Sequence, residues 1–261
     1  MKKAILLLGL IFFSLQFSIA QSDDPGEIQP DRPGLGEATS VVPKKYVQIE
    51  MGGNFQWDND GGATTMNLTY NSTVIRIGIF DNVELRLNLG LRQDVVNSSF
   101  GNINTKVGFM PWGLGFKTKL FDQKGVIPRT SFLGCLQIPY PAADFLKTDH
   151  IAPYFLIPME WDLTEKLLMT GNLGVFWNGN NANPGYFASL GFDYVLPAGF
   201  GVFLEAYANI DDRAFFTPAI NGGVVWLVKQ NLKLDISAGL GLNKNTPDGF
   251  VNGGISIRFP N

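Results

Sequence analysis

The sequence predicts an all-β fold: a transmembrane, antiparallel, up-and-down β-barrel of about 12 strands. Three observations predict it. The side chains alternate with a period of two along most of the chain, the connections alternate between tight and long, and charges are few. Only 16% of the 261 residues are charged, although 45% are hydrophobic, whereas soluble domains carry about 25% charged residues. Lipid-facing strands explain the shortfall, because a Lys or Arg at the bilayer midplane costs about 2–4 kcal/mol.

The first twenty residues have the layout of a secretory signal peptide. Residues 1–3 include two lysines, residues 4–17 form an almost unbroken apolar run, and Ser18 and Ala20 place small side chains before Gln21. The run is too short for a stop-transfer anchor. We therefore predict a signal peptide (1–20), a periplasmic N-terminal segment (21–44) and an outer-membrane β-barrel (45–261).

Residues 83–92 show the alternation most clearly. Val83, Leu85 and Leu87 begin an aliphatic face, while Glu84 and Arg86 lie on the opposite, polar face, as side chains of a strand must. Segments with this period are predicted strands, and the mixed phase near Pro111 makes the fourth and fifth the least regular. The predicted strands lie near 45–57, 64–79, 83–93, 104–120, 126–138, 151–163, 166–178, 185–196, 199–210, 215–228, 231–243 and 249–259.

The connections between these strands alternate in kind. Those at 80–82, 121–125, 164–165, 197–198 and 229–230 are tight. Those at 58–63, 94–103, 139–150, 179–184, 211–214 and 243–248 are mostly longer and rich in Asn, Asp, Gly, Ser and Pro. Transmembrane barrels have short periplasmic turns and longer outer loops, and an even strand number.

Strand length favours a membrane barrel over a soluble one. Most predicted strands run 11 to 14 residues, and about 9–11 tilted residues span a bilayer, whereas soluble strands are commonly about 5–6. A periplasmic β-sandwich or lipocalin-like cup is the soluble alternative, because its strands also alternate. Aromatic residues near strand ends fit the girdles of a membrane barrel; they are Trp57, Trp161, Trp177, Tyr194, Phe216, Trp226 and Phe250.

Composition excludes several function classes. The chain has 20 Lys and Arg against 23 Asp and Glu, so it has no basic excess for binding nucleic acid. Cys135 cannot form an internal disulfide because it is the single Cys, and with His150 it is a poor basis for a zinc site. We expect no metal and no cofactor.

Several motifs together resemble the outer-membrane β-barrel family of the MetA pathway of phenol degradation, whose members are often called transporters. The likeness spans nearly the whole mature chain and keeps the motif order. It implies a barrel and a channel for small molecules, apolar or aromatic ones among them. The motifs are Asp31-Arg32-Pro33-Gly34, 39–43 (TSVVP), 46–50 (YVQIE), 75–86 (IRIGIFDNVELR), 231–235 (NLKLD) and 249–259 (GFVNGGISIRF).

The end of the chain is typical of an outer-membrane barrel. Such barrels commonly finish on a strand whose terminal aromatic residue is read by the barrel assembly machinery, and Phe259 lies two residues from the end. We therefore expect this machinery and outer-membrane lipid as partners, besides a small-molecule solute.

The polar strand faces carry charges of both signs. If the lumen is wet, these side chains line the path and set its selectivity. The alternative, which we favour for most of them, is that they pair into salt bridges that fill a small barrel. The candidate lumen-lining residues are Glu50, Arg76, Glu84, Arg86, Arg92, Lys117, Lys119, Glu160, Glu205, Lys233, Asp235 and Arg258.

The segment before the first strand has no strand pattern and is rich in proline. It is either a disordered tail or a plug that folds into the lumen. The family resemblance at Asp31, Arg32 and Pro33 favours the plug, in which Arg32 would pair with lumenal acids.

Three functions remain open. The first is an outer-membrane channel that passes small molecules through a narrow polar lumen, since twelve strands lie between filled small barrels and open sixteen-stranded porins. The second is a structural or surface barrel with a blocked lumen. The third is a barrel hydrolase using His150, but the sequence lacks a Gly-x-Ser-x-Gly motif, and we expect no enzyme.

Overall fold

A computed structural model describes residues 25–59, 61–98 and 103–260. The predicted signal peptide lies outside these residues. The strands are β1 (Tyr46–Asn59), β2 (Ala63–Phe80), β3 (Val83–Ser98), β4 (Ile103–Phe109), β5 (Trp112–Phe121), β6 (Arg129–Ile138), β7 (Ala152–Asp162), β8 (Leu167–Phe176), β9 (Gly185–Val195), β10 (Phe200–Ile210), β11 (Phe216–Lys229), β12 (Leu232–Gly241) and β13 (Gly249–Pro260), and a 3-10 turn lies at Pro197–Gly199.

The strands form one closed antiparallel barrel, which confirms the predicted fold class. β1 pairs with β2 on one side and with β13 on the other, so the first and last strands close the sheet. The remaining strands follow one another around the wall in chain order. The circumference of the barrel is twelve strands. Thirteen strands are numbered because one of the twelve is divided into two, β4 and β5.

The divided strand is the one predicted at 104–120. It breaks at Met110–Pro111 into β4 and β5, and both halves pair with β3. Proline has no N–H to donate to a ladder, while the Met110 N–H still donates to the Gly90 carbonyl at 2.9 Å. β4 therefore continues the wall beyond the point where β5 pairs with β6.

Two predicted connections are shorter than expected. β3 continues to Ser98 through residues assigned to a loop beginning at Asp94, because it pairs with β4. The β1–β2 connection likewise shrinks to 60–62. One barrel end, here called the turn end, carries connections 81–82, 122–128, 163–166, 196–199 and 230–231. The opposite loop end carries the strand ends Asn59, Ala63, Ser98 and Ile103 and connections 139–151, 177–184, 211–215 and 242–248.

The two faces of the wall are inverted relative to a soluble protein. Along β3, Glu84 and Arg86 point inward and are buried, whereas Leu85 points outward and is 47% exposed. The same inversion recurs around the wall: large apolar side chains cover the outer face and polar ones fill the interior, as a membrane barrel requires. Phe250 is an exception to the predicted aromatic girdle, since it is 6% exposed and lies over Gly239 inside the barrel.

Within the described ranges, no helix is long and apolar enough to cross a membrane.

The outer face of β12 offers a direct test of lipid contact. Ile236, in the middle of that strand, is 59% exposed. We expect Ile236→Arg to lower the free energy of unfolding by about 2–4 kcal/mol, because the charge would enter hydrocarbon. The measurement is urea unfolding of the barrel refolded into lipid vesicles, with Ile236→Leu as the matched control. Equal stability of the two variants would place this face outside the membrane.

Candidate functional site

Residues 25–45, here called the lumenal segment, form no helix or strand and lie against the inner face of the barrel. The segment begins at the turn end, where the Ile28 N–H donates to the Gln230 carbonyl at 2.7 Å. It rises to contact strands on both sides of the lumen and returns to the turn end, where β1 starts. Its order comes from contacts with the wall rather than from its own secondary structure.

Asp31 is the most heavily bound residue of the segment. Its carboxylate lies 2.6 Å from Lys117 Nζ, 2.6 Å from Arg86 and 3.1 Å from Arg76. These cations come from β5, β3 and β2, and their side chains are at most 2% exposed. Three adjacent strands therefore place three buried positive charges around one acid of the segment.

Arg32 reaches the other side of the lumen. Its guanidinium donates two hydrogen bonds to the Asp235 carboxylate on β12, at 3.0 and 3.2 Å. The side chain lies directly against Gly52 and Gly254, where any Cβ would overlap the guanidinium. Pro33 follows Arg32 and lines the cavities on both sides of the segment.

Four buried wall carboxylates accept backbone N–H groups of the segment. Charge-assisted hydrogen bonds of this kind are stronger than neutral ones. The donors and acceptors are Asp31 and Arg32 to Glu50 (3.0 and 3.3 Å), Leu35 and Gly36 to Glu205 (2.9 and 2.8 Å), Thr39 to Glu160 (2.9 Å) and Val42 to Glu84 (2.6 Å).

The wall cations complement this pattern by donating to backbone carbonyls of the segment. Arg76 donates to the Ser40 carbonyl at 2.9 Å, and Lys117 donates to the Ala38 carbonyl at 3.0 Å. Arg258 donates to the Gly26 carbonyl. The barrel charges thus bind the segment largely through its backbone, in addition to pairing with one another, as Arg76 does with Glu50 and Glu84.

The two acids of the segment differ in their proton affinity. Burial raises the pKa of Asp31, but Arg76, Lys117 and Arg86 outweigh burial and hold the pKa well below its ordinary value. Asp31 therefore stays ionised at neutral pH, and its contribution to stability is lost only as the pH falls through that lowered value. Burial raises the pKa of Glu37 to about 7, against the opposing pull of Arg86.

Three predicted lumen residues lie apart from the segment. Arg92 pairs with Asp94 near the loop end, and Lys119 pairs with Asp122 at the turn end. Lys233 lines the cavity on the turn side of the segment. The other nine predicted residues contact the segment or lie in its charge network.

Sequence reasoning missed several residues that hold the segment. The Asn172 side chain accepts from the Glu37 N–H at 3.1 Å, and the Ser131 hydroxyl donates to the Thr39 carbonyl. Both are on the inner faces of predicted strands, so the alternation could have found their orientation. It could not have shown what they contact. Gln48 and Arg129 were missed for the same reason; they bind Gln29 and Thr39.

The segment separates two cavities inside the barrel. The loop-side cavity has a volume of about 370 Å³ and is lined by neutral polar groups such as Asn54, Thr69 and Asn252, together with residues 31–37. The turn-side cavity has a volume of about 360 Å³ and includes Lys233, Asp193 and residues 27–34. Each cavity therefore ends on the segment.

His150, the candidate base of a hydrolase, lies in the loop between β6 and β7 and is exposed. Its backbone N–H donates to the Gly179 carbonyl at 2.8 Å. The nearby Thr148 hydroxyl donates to the His150 carbonyl at 2.9 Å rather than to the imidazole.

Removing the Asp31 charge tests how the segment is held. We expect Asp31→Asn to speed hydrogen exchange at the Leu35, Gly36 and Thr39 amides at least about tenfold, because three buried cations lose their shared partner. Exchange is measured by mass spectrometry on the purified barrel. Glu27→Gln, which removes an exposed carboxylate from the same segment, is the control and should leave these rates unchanged. Equal rates in both variants would contradict the role of Asp31.

Known outer-membrane barrels share this fold. The COG4313 outer membrane channel from Pseudomonas putida F1 is similar in fold, with a TM-score of 0.63 and 14% identity, over 87% of this chain and 99% of that chain. The KdgM porin, solved in complex with disordered oligogalacturonate, matches with a TM-score of 0.50 and 12% identity, over 81% of this chain and 99% of that chain. No curated protein matches the sequence significantly.

The family described as "Putative MetA-pathway of phenol degradation" matches residues 30–259. The match covers the lumenal segment from Pro30 onward and nearly the whole barrel, which confirms the resemblance carried by the sequence motifs. The chain belongs to this family.

Proposed function

We propose that the protein is an outer-membrane channel that passes small molecules, and that residues 1–20 are the signal peptide that exports it. The observation that carries the proposal is the pair of lumenal cavities, of about 370 and 360 Å³, on either side of the lumenal segment. A barrel that served only as a scaffold would need no cavities on the two sides of this segment. The fold shared with the COG4313 outer membrane channel and the family membership support the proposal.

The lumenal segment limits the size of the solute. It crosses the lumen at mid-height and binds strands on opposite sides, for example Lys117 on β5 and Asp235 on β12. We propose that the segment is the constriction of the channel and that solutes pass beside it. Only small molecules, apolar or aromatic ones among them, fit such a path.

A blocked structural barrel is the second candidate, and the density of segment contacts favours it. Four wall carboxylates and the cations around Asp31 hold the segment in place. A segment held so firmly could close the lumen permanently. The two candidates differ in whether a solute can pass the lumenal segment and cross the barrel.

Solute flux separates these two candidates. We expect liposomes containing the protein to take up arabinose faster than protein-free liposomes, and to exclude a tetrasaccharide, because the segment narrows the lumen. Asn54→Trp, which places a bulky ring in the loop-side cavity, should slow arabinose uptake. Uptake equal to that of protein-free liposomes, together with no conductance in planar bilayers, would show a blocked barrel instead.

We also propose that β13 is the strand recognised by the barrel assembly machinery. Phe259 lies on this closing strand, opposite Val47 of β1.

A further inference from the structure

Two of the charged side chains that line the turn-side cavity differ from all the others there. Most of the inner charges are held by other groups of the protein, and those on the turns are exposed. The held charges are Asp31, Arg32, Glu37, Arg129, Glu160 and Glu205. The exposed ones are Glu27, Asp162, Glu165 and Lys166. Lys233 and Asp193 belong to neither group.

Lys233 and Asp193 lie on β12 and β9, and both are half-buried where they face the cavity. Their charges are close enough to attract each other. Within the described part of the chain, however, neither side chain forms a salt bridge or a hydrogen bond. Taking a charge out of water without a partner is unfavourable. A small molecule that enters the cavity and pairs with these charges would therefore be bound.

The wall between the two charges is apolar. β10 and β11 separate β9 from β12, and neighbouring strands are about 4.8 Å apart, so the two backbones lie roughly 14 Å apart along the wall. Phe203 is directly opposite Asp193, and Gly201 is opposite Val225. All of these residues line the same cavity. A cation and an anion thus flank a small apolar surface.

The turn-side cavity can be reached from the turn end of the barrel. Residues 164–166, in the connection between β7 and β8, line it together with the inner wall. Its volume of about 360 Å³ is at the small end of sites for small molecules. Such a site accepts a compact molecule and excludes a large one.

The two charges favour a molecule that carries both a carboxylate and an ammonium group. A Lys ammonium only donates hydrogen bonds, and an ionised carboxylate only accepts them. A simple anion would satisfy Lys233 and leave Asp193 unpaired, whereas a simple cation would do the reverse. An amino acid supplies both groups. An apolar side chain on it would also remove the surface of Phe203 and Val225 from water.

We propose that the turn-side cavity binds a small amino acid with an apolar side chain. Its carboxylate pairs with Lys233, its ammonium group pairs with Asp193, and its side chain lies against Phe203 and Val225. The proposal rests on the channel function proposed above and names one class of solute that the channel recognises at the turn end.

Binding is tested with L-leucine as the probe, by saturation-transfer NMR titration of the purified protein in detergent, with empty micelles as the blank. We expect saturable binding of L-leucine. Two analogues of the same shape each lack one charge: 4-methylpentanoate has no ammonium group, and 3-methylbutylamine has no carboxylate. Each should bind at least about tenfold more weakly than L-leucine, because one of the two protein charges is left unpaired.

Substitutions locate the site. Lys233→Gln and Asp193→Asn should each raise the Kd for L-leucine at least about tenfold. Neither charge has a partner in the described ranges, so both variants should fold, which is checked by the heat-dependent shift of the barrel in gel electrophoresis. The matched controls are Lys166→Gln and Glu165→Gln, which remove exposed charges at the mouth of the same cavity. They should leave the Kd within about twofold.

Each remaining result counts against the proposal. L-leucine signals identical to those of empty micelles would overturn the site, and equal weakening by the controls would overturn its location. Either analogue binding as tightly as L-leucine would overturn the pairing with both charges. Arabinose uptake into liposomes is measured separately. If uptake occurs without L-leucine binding, the channel stands and the amino-acid site fails; if binding occurs without uptake, the site stands and the channel fails.

Discussion

The structure depends on the pairing of charges buried inside the barrel. A charge removed from water is costly unless it is paired and hydrogen-bonded, and the inner face of this wall carries many. The lumenal segment satisfies them mainly with its backbone: its N–H groups bind Glu50, Glu84, Glu160 and Glu205, and its carbonyls bind Arg76, Lys117 and Arg258. The wall charges therefore depend on the segment for hydrogen-bond partners, and the segment depends on the wall charges for its position.

Charge is distributed unevenly around the wall, and the segment matches that distribution. Arg76, Arg86 and Lys117 gather on β2, β3 and β5, whereas Glu160, Glu205 and Asp235 occupy β7, β10 and β12. Neighbouring residues of the segment face opposite ways, with Asp31 toward the cations and Arg32 toward Asp235. The polar contacts fix the segment at these points. A path for small molecules is compatible with a segment that remains bound.

The sequence predicted the barrel well because the alternation of strand residues is local information. It placed all twelve strands of the wall and the inner orientation of residues such as Glu84 and Arg86. It could not predict the partner of an inner residue, since Arg32 and Asp235 are 203 positions apart and meet only after closure. The division of the fourth strand at Pro111 and the extension of β3 to Ser98 depend on neighbouring strands. The buried apolar cluster of Leu133, Cys135 and Leu156 on the inner face of β6 and β7 was not predicted, because Leu156 looks lipid-facing by residue type alone.

A double-mutant cycle on Arg32 and Asp235 tests the central claim most directly, namely that wall charges hold the segment inside the lumen. The free energy of opening is measured by hydrogen exchange at the Leu35 and Gly36 amides in the native protein, in Arg32→Gln, in Asp235→Asn and in the double variant. The account predicts that each single change speeds exchange, and that the two residues are coupled by about 1 kcal/mol or more. Additive effects with no coupling, or fast exchange already in the native protein, would contradict it.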